Sequence, residues 1–287
     1  MNTPDLLQEV DRSLISQLIE QSRLYRTGPE YLGLLNFITR MRHIAPFNAM
    51  ILQIQKPGLQ FAASKVDWYR QHQRTIKEGA RPLLILWPFS PVALVYDIVD
   101  TEGQDLPKDV AAPFRAQGDV TEERLTTMCA LLAKQCIDCQ SIVYGSGHAG
   151  HIQKTVTGAL LSGKPTRHHY AIRLNSDHSA SVRFATLAHE LGHLYLGHLG
   201  EDKGRKIKNR RNVPHAVREI EAETVSYLAC NRQGVQNVSE SYLSGYVNRP
   251  GAVDSMDVYA ITAAAGAVEQ LLGVACKLHF LEGTSPT

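Results

Sequence analysis

The segment His189-Glu190-Leu191-Gly192-His193 constrains this chain more than any other part of its sequence. It lies in a largely apolar run, residues 184–198, that predicts one continuous helix. Two histidines four residues apart lie on the same face of a helix, close enough to bind one metal ion. The glutamate after the first histidine projects beside that ion, where it can accept a proton from water. This pattern is typical of the active-site helix of a zinc metallopeptidase.

The alternative interpretation is an ordinary helix whose two histidines are buried and hydrogen-bonded to backbone or carboxylate groups. Apolar residues flank the motif, so burying two histidines and a glutamate there without a partner would be costly. Gly192 has no side chain and leaves room for a second helix to approach. A carboxylate-rich helix is predicted over residues 214–230. Together these features favour the metal interpretation.

The second helix has to supply the remaining ligand, because a catalytic zinc ion needs three protein ligands and one open position. Glu219 and Glu223 are four residues apart and share a face, whereas Glu221 points about half a turn away. One member of the pair can bind zinc while the other orients a ligand histidine through its second ring nitrogen. Glu219 is the predicted ligand and Glu223 the orienting residue, with Glu221 as the alternative ligand.

A third histidine, His198, follows the motif closely. In metzincins the third histidine ligand falls six residues after the second, which is Leu199 in this chain. His198 is one place out of register, so we predict that it caps the last turn of the helix. The class predicted is therefore a gluzincin, in which a glutamate is the third ligand.

The two helices resemble the ImmA/IrrE family of bacterial and phage metallopeptidases. The resemblance lies in His-Glu-Leu-Gly-His-Leu-Tyr-Leu-Gly-His at 189–198 and Glu-Ile-Glu-Ala-Glu-Thr-Val-Ser-Tyr-Leu at 219–228. That family pairs a His-Glu-x-x-His helix with a later helix carrying Glu-x-x-Ala followed by Asn, Asp or Glu. The chain departs from it at residues 225–227, where the family often has Phe-Ala. The roles that the resemblance implies are zinc ligands at His189, His193 and Glu219, a catalytic base at Glu190, and an orienting carboxylate at Glu223.

The N-terminal half resembles the ArdC-type antirestriction module that binds single-stranded DNA. The resemblance covers about residues 30–100 and rests on short segments at 48–57, 66–70, 76–79 and 82–88. Cations there alternate with aromatic residues, as sequence-tolerant binding of single strands requires. The predicted nucleic-acid contacts are Lys65, Trp68, Tyr69, Arg70, Arg74 and Lys77. From the residues alone, a mixed α/β domain with its tryptophans in the core stays open.

The composition limits the possible domain organisation and binding partners but does not identify a function. The 287 residues, 44% of them apolar, are enough for one large or two medium domains with buried cores. A net charge of +2 does not by itself direct the chain to nucleic acid, so any binding has to come from a local patch. No signal pattern or membrane-length apolar run is present, and the five cysteines are scattered. We expect a cytoplasmic, reduced protein without membrane contact, in which Cys136 and Cys139 are structural.

The predicted fold class is α+β: a mixed α/β domain over residues 1–105, then a helix-rich gluzincin-type metallopeptidase domain with a small sheet over 120–287. Residues 101–119 are the predicted linker. A helix capped by Ser64 and Asp67 and two paired strands, 82–87 and 92–99, are expected in the first domain. The second is expected to have a capped helix at 121–135, strands at 141–144 and 168–174, and a long helix at 256–281.

Two further segments have two interpretations each. The strand at 170–174 either pairs with an extended substrate at a sheet edge or belongs to the sheet core. The run at 203–211 carries six cations in nine residues, which is typical of a solvated loop but also suits an acidic or nucleic-acid partner. His148 and His151 are predicted to lie in loops, and no role is assigned to His168 or His169.

The predicted function follows from the site. Zinc would lower the pKa of its water to about 7, and Glu190 would take the proton and deliver it to the leaving amine. The candidate donors to the oxyanion are Tyr195, His215 and Tyr227. We predict an endopeptidase of a specific protein, such as a repressor or other regulator, localised by the N-terminal domain. The alternative is an antirestriction-like protein that binds single-stranded DNA and in which zinc is mostly structural; an intact Glu190 favours the former.

Overall fold

The computed structural model describes residues 27–87, 90–106, 120–143, 149–156, 160–161, 164–165, 167–235, 243, 247 and 252–274. The described residues form seven α-helices and several small sheets, which confirms the α+β class. They divide into two compact units, one within Gly33–Arg115 and the other within Arg26–Leu32 and Ala116–Ala275. Among the described helices, none combines the length and the apolar character needed to cross a bilayer. The predicted domain limits, 1–105 and 120–287, stay a prediction.

The first unit combines short helices with small antiparallel sheets. Its helices are α1 Gly28–Arg40, α2 Pro46–Gln55 and α3 Lys65–His72. Its strands are β1 Ala62–Ala63, β2 Arg74–Ile76, β3 Leu83–Trp87, β4 Ser90–Asp97 and β5 Thr101–Gly103. One sheet has the order β1-β4-β3, and β2 pairs with β5. The first residues of α1 belong to the second unit.

Several expectations for the first unit are confirmed. The Ser64 side chain accepts a hydrogen bond from the Asp67 backbone N–H and caps α3. The predicted strand pair is β3 and β4, which are antiparallel. The expected linker start is wrong, because Thr101–Gly103 is a strand that pairs with Arg74–Ile76. The rest of that linker, from residue 107 onward, lies outside the described residues.

The second unit places helices against one three-stranded sheet. Its helices are α4 Glu122–Ala133, α5 Ala180–Tyr195, α6 His215–Arg232 and α7 Val258–Leu271. Its strands are β6 Ile137–Ile142, β7 Gly150–Val156, β8 Leu160–Leu161, β9 Lys164–Pro165 and β10 His169–Asn175. The sheet order is β6-β10-β7, with β10 parallel to β6 and antiparallel to β7. Helix α5 packs against both β7 and β10 and against α6.

The central position of β10 corrects one expectation. Because β10 is hydrogen-bonded on both sides, it cannot add a substrate strand at a sheet edge, and the sheet-core interpretation is the right one. Strand β7 is an edge of this sheet within the described residues. His151, predicted in a loop, lies in β7 opposite Arg173. His148 lies outside the described residues.

Two boundaries also differ from the prediction. Strand β6 begins at Ile137, so Cys139 lies inside a strand rather than just beyond a helix. The last helix ends at Leu271, because Gly273 takes a left-handed backbone conformation with φ of +70°. The predicted extension of that helix beyond residue 274 lies outside the described residues.

Candidate metal centre

Helices α5 and α6 bring two imidazoles and one carboxylate together. The Nε2 atoms of His189 and His193 are 3.1 Å apart. The Glu219 carboxylate lies 3.6 Å from His189 Nε2 through Oε2 and 3.5 Å from His193 Nε2 through Oε1. One donor atom from each residue lies within 4.8 Å of the other two. We call His189, His193 and Glu219 the donor cluster.

The spacing of the donor cluster fits a small tetrahedral ion. Bonds of about 2.0–2.1 Å at the tetrahedral angle separate two ligand atoms by about 3.3–3.4 Å. The three measured separations, 3.1, 3.5 and 3.6 Å, lie on either side of that value. Two nitrogen donors and one oxygen donor, all partly buried, are the set that a catalytic site of this geometry uses.

Glu223 fixes the tautomer of His189. Its Oε2 lies 3.0 Å from His189 Nδ1, and an ionised carboxylate can only accept a hydrogen bond. In its neutral form His189 therefore carries its proton on Nδ1 and directs the Nε2 lone pair into the donor cluster. This is the contact predicted for the orienting carboxylate.

A longer chain of contacts does the same for His193. Its Nδ1 lies 3.0 Å from His198 Nδ1, and His198 Nε2 lies 3.0 Å from Glu221 Oε2. Since Glu221 accepts, His198 donates through Nε2, and its Nδ1 is left to accept from His193. His193 therefore also presents a lone pair at Nε2. The expectation that His198 caps the helix is wrong, because both of its ring nitrogens take part in these hydrogen bonds with His193 and Glu221.

The carboxylate of Glu221 lies outside the donor cluster. Besides His198, it accepts hydrogen bonds at Oε1 from Arg210 at 2.8 Å and from the Asp257 backbone N–H at 2.9 Å. Burial raises the pKa of Glu221, but these contacts lower it more, and the net pKa lies below its usual value. The fully buried carboxylate thus has three partners that stabilise its charge.

These hydrogen bonds leave the donor cluster with three converging acceptors. Two imidazole lone pairs and a carboxylate repel one another unless a cation or a proton lies between them. The neighbouring imidazoles of His189 and His193 hold the pKa of Glu219 well below its usual value, so its carboxylate stays charged. The described residues therefore contain a site suited to a divalent metal ion.

Glu190 lies on the same helix as the two histidines and is nearly buried, with 9% of its surface exposed. Burial raises its pKa, and the neighbouring His189 and His193 lower it by a smaller amount. The net shift is upward. A carboxylate whose pKa moves toward neutrality becomes a better proton acceptor at neutral pH.

Close packing of α5 and α6 makes this geometry available. A Cβ atom added to Gly192 would lie 3.2 Å from Val225 Cβ and 3.3 Å from the Ala222 backbone. The predicted role of Gly192, to admit the second helix, is confirmed. Ser226 adds a hydrogen bond from its hydroxyl to the Ala185 carbonyl oxygen at 2.9 Å. The two helices are thus held along the length that carries the donors.

The three candidate oxyanion donors are placed differently. His215 Nδ1 lies 3.3 Å from Glu219 Oε1, and its side chain is 77% exposed, at the margin of the donor cluster. Burial raises the pKa of Tyr195, and the nearby charge of Arg205, a residue of the basic run, lowers it by a smaller amount. Tyr227 is buried on α6. Of the three candidates, His215 is the one that contacts a residue of the donor cluster, Glu219.

The basic run at 203–211 is only partly solvated, with Lys203, Lys206, Lys208 and Arg211 exposed. Arg205 is 4% exposed, pairs with Asp202 and donates to the His168 carbonyl oxygen. Arg210 donates to Glu221 and Arg211 to the Leu199 carbonyl oxygen. These three arginines therefore stabilise the segment between α5 and α6, and the prediction of a purely solvated run is wrong.

The predicted nucleic-acid residues of the first unit divide into two groups. Trp68 is fully buried and donates its indole N–H to the Tyr96 carbonyl oxygen, so it cannot stack on a base. Arg74 is also buried, with hydrogen bonds to Thr101. Neither side chain is exposed to contact nucleic acid, so the prediction is wrong for Trp68 and for Arg74. The exposed residues of the set are Lys65, Tyr69, Arg70 and Lys77.

Metal binding at the donor cluster is expected to strengthen as the pH rises. Burial lowers the pKa of His189, but the neighbouring carboxylates of Glu219 and Glu223 raise it more, to about 9. Below that pH an incoming ion must displace a proton from His189. We expect the apparent affinity for a divalent ion to rise about tenfold per pH unit between about pH 6 and 8. Competition with a chromophoric chelator measures it, and a flat profile would contradict the expectation.

Two histidines and one glutamate on two packed helices form a candidate metal site in the second unit. Residues 153–240 match the family model described as Peptidase_M78, IrrE N-terminal-like domain. The resemblance to the ImmA/IrrE family is therefore confirmed over these residues. No curated protein sequence matches the chain.

Two solved structures are similar to the chain. One is the metal-free crystal structure of the antirestriction ArdC protein from the R388 plasmid, with 15% identity and a TM-score of 0.38. The other is the Mn(II)-bound structure of the same protein, with 16% identity and a TM-score of 0.37. Each comparison covers 79% of this chain and 81% of the other.

Proposed function

We propose that this chain is a zinc-dependent endopeptidase that cleaves a specific protein, with His189, His193 and Glu219 as the zinc ligands. The observation that carries the proposal is a donor cluster of three residues with Glu190 beside the first histidine. Among the described residues no fourth His, Cys, Asp or Glu joins this cluster, as suits an open catalytic site rather than a closed structural one. The family of residues 153–240 supports the same class.

The residues of the chain have separate tasks in such a reaction. A bound zinc ion supplies a more acidic water molecule and polarises the peptide carbonyl group. Glu190 accepts a proton from the attacking water and donates it to the leaving amine. His215, at the margin of the donor cluster, is the candidate donor to the oxygen that becomes negatively charged.

Strand β7 is the surface that we assign to the substrate backbone. It is an edge of the sheet in the part of the chain that the structure describes, and α5 packs against it. His151 of this strand lies close enough to lower the pKa of Glu190 electrostatically. An extended protein segment, for example from a repressor or another regulator, can therefore add as a further strand beside the base. We place this reaction in the cytoplasm.

The experiment that tests this function is the digestion of a mixed peptide library by the zinc-loaded protein, with Glu190→Gln as the matched variant. Cleavage products that appear with the parent protein and not with the variant support the proposal. Identical product profiles would overturn it.

A second candidate function is the binding of single-stranded DNA by the first unit, with proteolysis secondary or absent. The observation that favours it is Tyr69, which is 69% exposed on α3. Lys65 lies four residues earlier on the same helix face, and Arg70 follows directly. An exposed ring beside cations can stack on a base while the cations contact the backbone.

Replacing Tyr69 with alanine should weaken binding of a single-stranded oligonucleotide by about 5- to 150-fold, since one stacked base contributes about 1–3 kcal/mol. Fluorescence anisotropy with a labelled oligothymidine measures the change. Tyr259→Ala, which removes a partly exposed tyrosine of the second unit, is the matched control. Equal affinities for the parent and Tyr69→Ala would exclude α3 as the binding surface.

A further inference from the structure

We propose that Cys129 and Cys139 are a modification site that forms a reversible disulfide when the protein meets a hydroperoxide. Cys129 lies on α4 and Cys139 on β6, and their sulfur atoms are 2.9 Å apart. Neither residue belongs to the donor cluster. The site therefore adds a chemistry that the proposed peptidase does not use.

The two sulfur atoms are closer than an ordinary non-bonded pair. Carbon atoms in contact rest about 3.5–4.0 Å apart, and sulfur is the larger atom. A disulfide bond is about 2.05 Å long, so the sulfurs have to approach by only about 0.9 Å.

A tight turn connects α4 to β6, so Cys129 and Cys139 lie close to each other in the fold. Cys136 lies in this turn and has a left-handed backbone conformation, with φ of 62°. The chain then enters β6, where Cys139 pairs with Ile172 of the central strand. Cys129 and Cys139 are half-buried, so a small oxidant can reach them, whereas Cys230 is buried.

The surroundings distinguish the two thiols. The contact with Cys139 lowers the pKa of Cys129, burial raises it, and the positive charge of Arg183 lowers it, for a net downward shift. The same contact and burial raise the pKa of Cys139. The positive charge of Arg183 favours the thiolate of Cys129, so we assign the first attack to Cys129 and the resolving attack to Cys139.

The reaction balances with one hydroperoxide molecule. The Cys129 thiolate attacks a peroxide oxygen, an S–O bond forms as the O–O bond breaks, and hydroxide (or alkoxide) leaves. Cys139 then loses its proton and attacks the Cys129 sulfur, so that the S–S bond forms and the S–O bond breaks. Two electrons pass from the sulfurs to the peroxide, and water is the second product. A dithiol reductant reverses the bond by exchange.

The new bond would join two elements that already meet at the start of α5. Arg183 donates to Ser141 on β6 and pairs with Glu122 on α4. A covalent link between α4 and β6 reduces the freedom of the unfolded chain and strengthens the same corner of the unit. We therefore expect the oxidised protein to melt at a temperature at least about 5 °C higher than the reduced protein.

The test is peptide mapping by mass spectrometry of the full chain, before and after treatment with hydrogen peroxide. The expected product is a cross-linked pair of peptides containing Cys129 and Cys139, about 2 Da lighter than the two thiol peptides and restored by dithiothreitol. Cys129→Ser and Cys139→Ser should each lose this product, and Cys136→Ser should retain it at the parent level.

Two results would overturn the proposal. One is a peroxide-treated parent in which Cys129 and Cys139 remain free thiols or carry separate sulfinic acids. The other is a cross-link from Cys139 to Cys136 in place of Cys129. Because the mapping is done on the parent protein, a serine variant that fails to fold does not affect either outcome.

Discussion

Glu190→Gln is expected to lower peptide cleavage by about 100- to 10,000-fold while leaving the metal in place. Glutamine has nearly the shape of glutamate but cannot accept a proton at neutral pH. Glu190 is not part of the donor cluster of His189, His193 and Glu219, so its amide removes the base and keeps the ligands. Burial holds the pKa of Glu190 above its usual value, which is why we assign the proton transfer to this carboxylate.

The measurement compares initial rates of cleavage and the zinc content of the same preparations. Glu201→Gln is the matched control, because Glu201 is an exposed carboxylate of the same unit that pairs with Lys203. We expect its rate to equal that of the parent. A Glu190→Gln variant that cleaves at the parent rate would remove Glu190 from the reaction. A variant that loses its zinc would instead show that Glu190 has a structural part in the site.

The parts of the site that sequence could predict are those fixed by one helix. A spacing of four residues places His189 and His193 on one face regardless of the rest of the fold. Gly192 predicted the approach of a second helix because only a missing side chain admits a backbone so closely, and the Ala222 carbonyl oxygen would lie 3.3 Å from an added Cβ. Both features are local, so they do not depend on the topology.

The contact between His198 and Glu221 could not be predicted in the same way. The two residues are 23 positions apart, and their meeting depends on how the chain leaves α5. Gly197 takes φ of +75° there, and its missing side chain admits the Lys208 carbonyl oxygen, which would lie 2.0 Å from a Cβ. The sequence shows a glycine and a histidine after the motif, but it does not show the direction of the returning segment. The resulting hydrogen bonds, rather than a helix cap, are the role of His198.

The sequence pattern also did not predict which strands are neighbours in the sheet or which aromatic side chains are buried. Residues 170–174 predicted a strand correctly, but an apolar strand suits the centre of a sheet and its edge alike, and β10 lies in the centre. Trp68 and Tyr69 are adjacent, yet one is fully buried and the other is 69% exposed. Alternating aromatic and basic residues are therefore compatible with a core and with a binding surface, and only the packing distinguishes them.

Glu219→Ala is expected to reduce the zinc content from about one ion per chain to near zero. Only two histidine donors would remain in the cluster, and we expect the affinity to fall by a factor of about a thousand or more, about 4 kcal/mol. Glu221→Ala should behave differently, because its carboxylate contacts His198 and Arg210 instead of the donor cluster. Loss of a residue that only orients a ligand weakens metal binding by about 10- to 100-fold, so this variant keeps its zinc in a stoichiometric preparation.

The decisive measurement is the zinc content together with a competition titration, for the parent, Glu219→Ala and Glu221→Ala. Because Glu221 is fully buried and ion-paired, its alanine variant is at risk of unfolding. Glu221→Gln therefore serves as a second variant that preserves the shape of the side chain, and thermal melting verifies the fold of each protein. Zinc that is lost with the folded Glu221→Gln variant and retained with Glu219→Ala would reverse the ligand assignment. A folded parent that binds no zinc would remove the basis of the peptidase and leave single-stranded DNA binding through Tyr69 as the function to pursue.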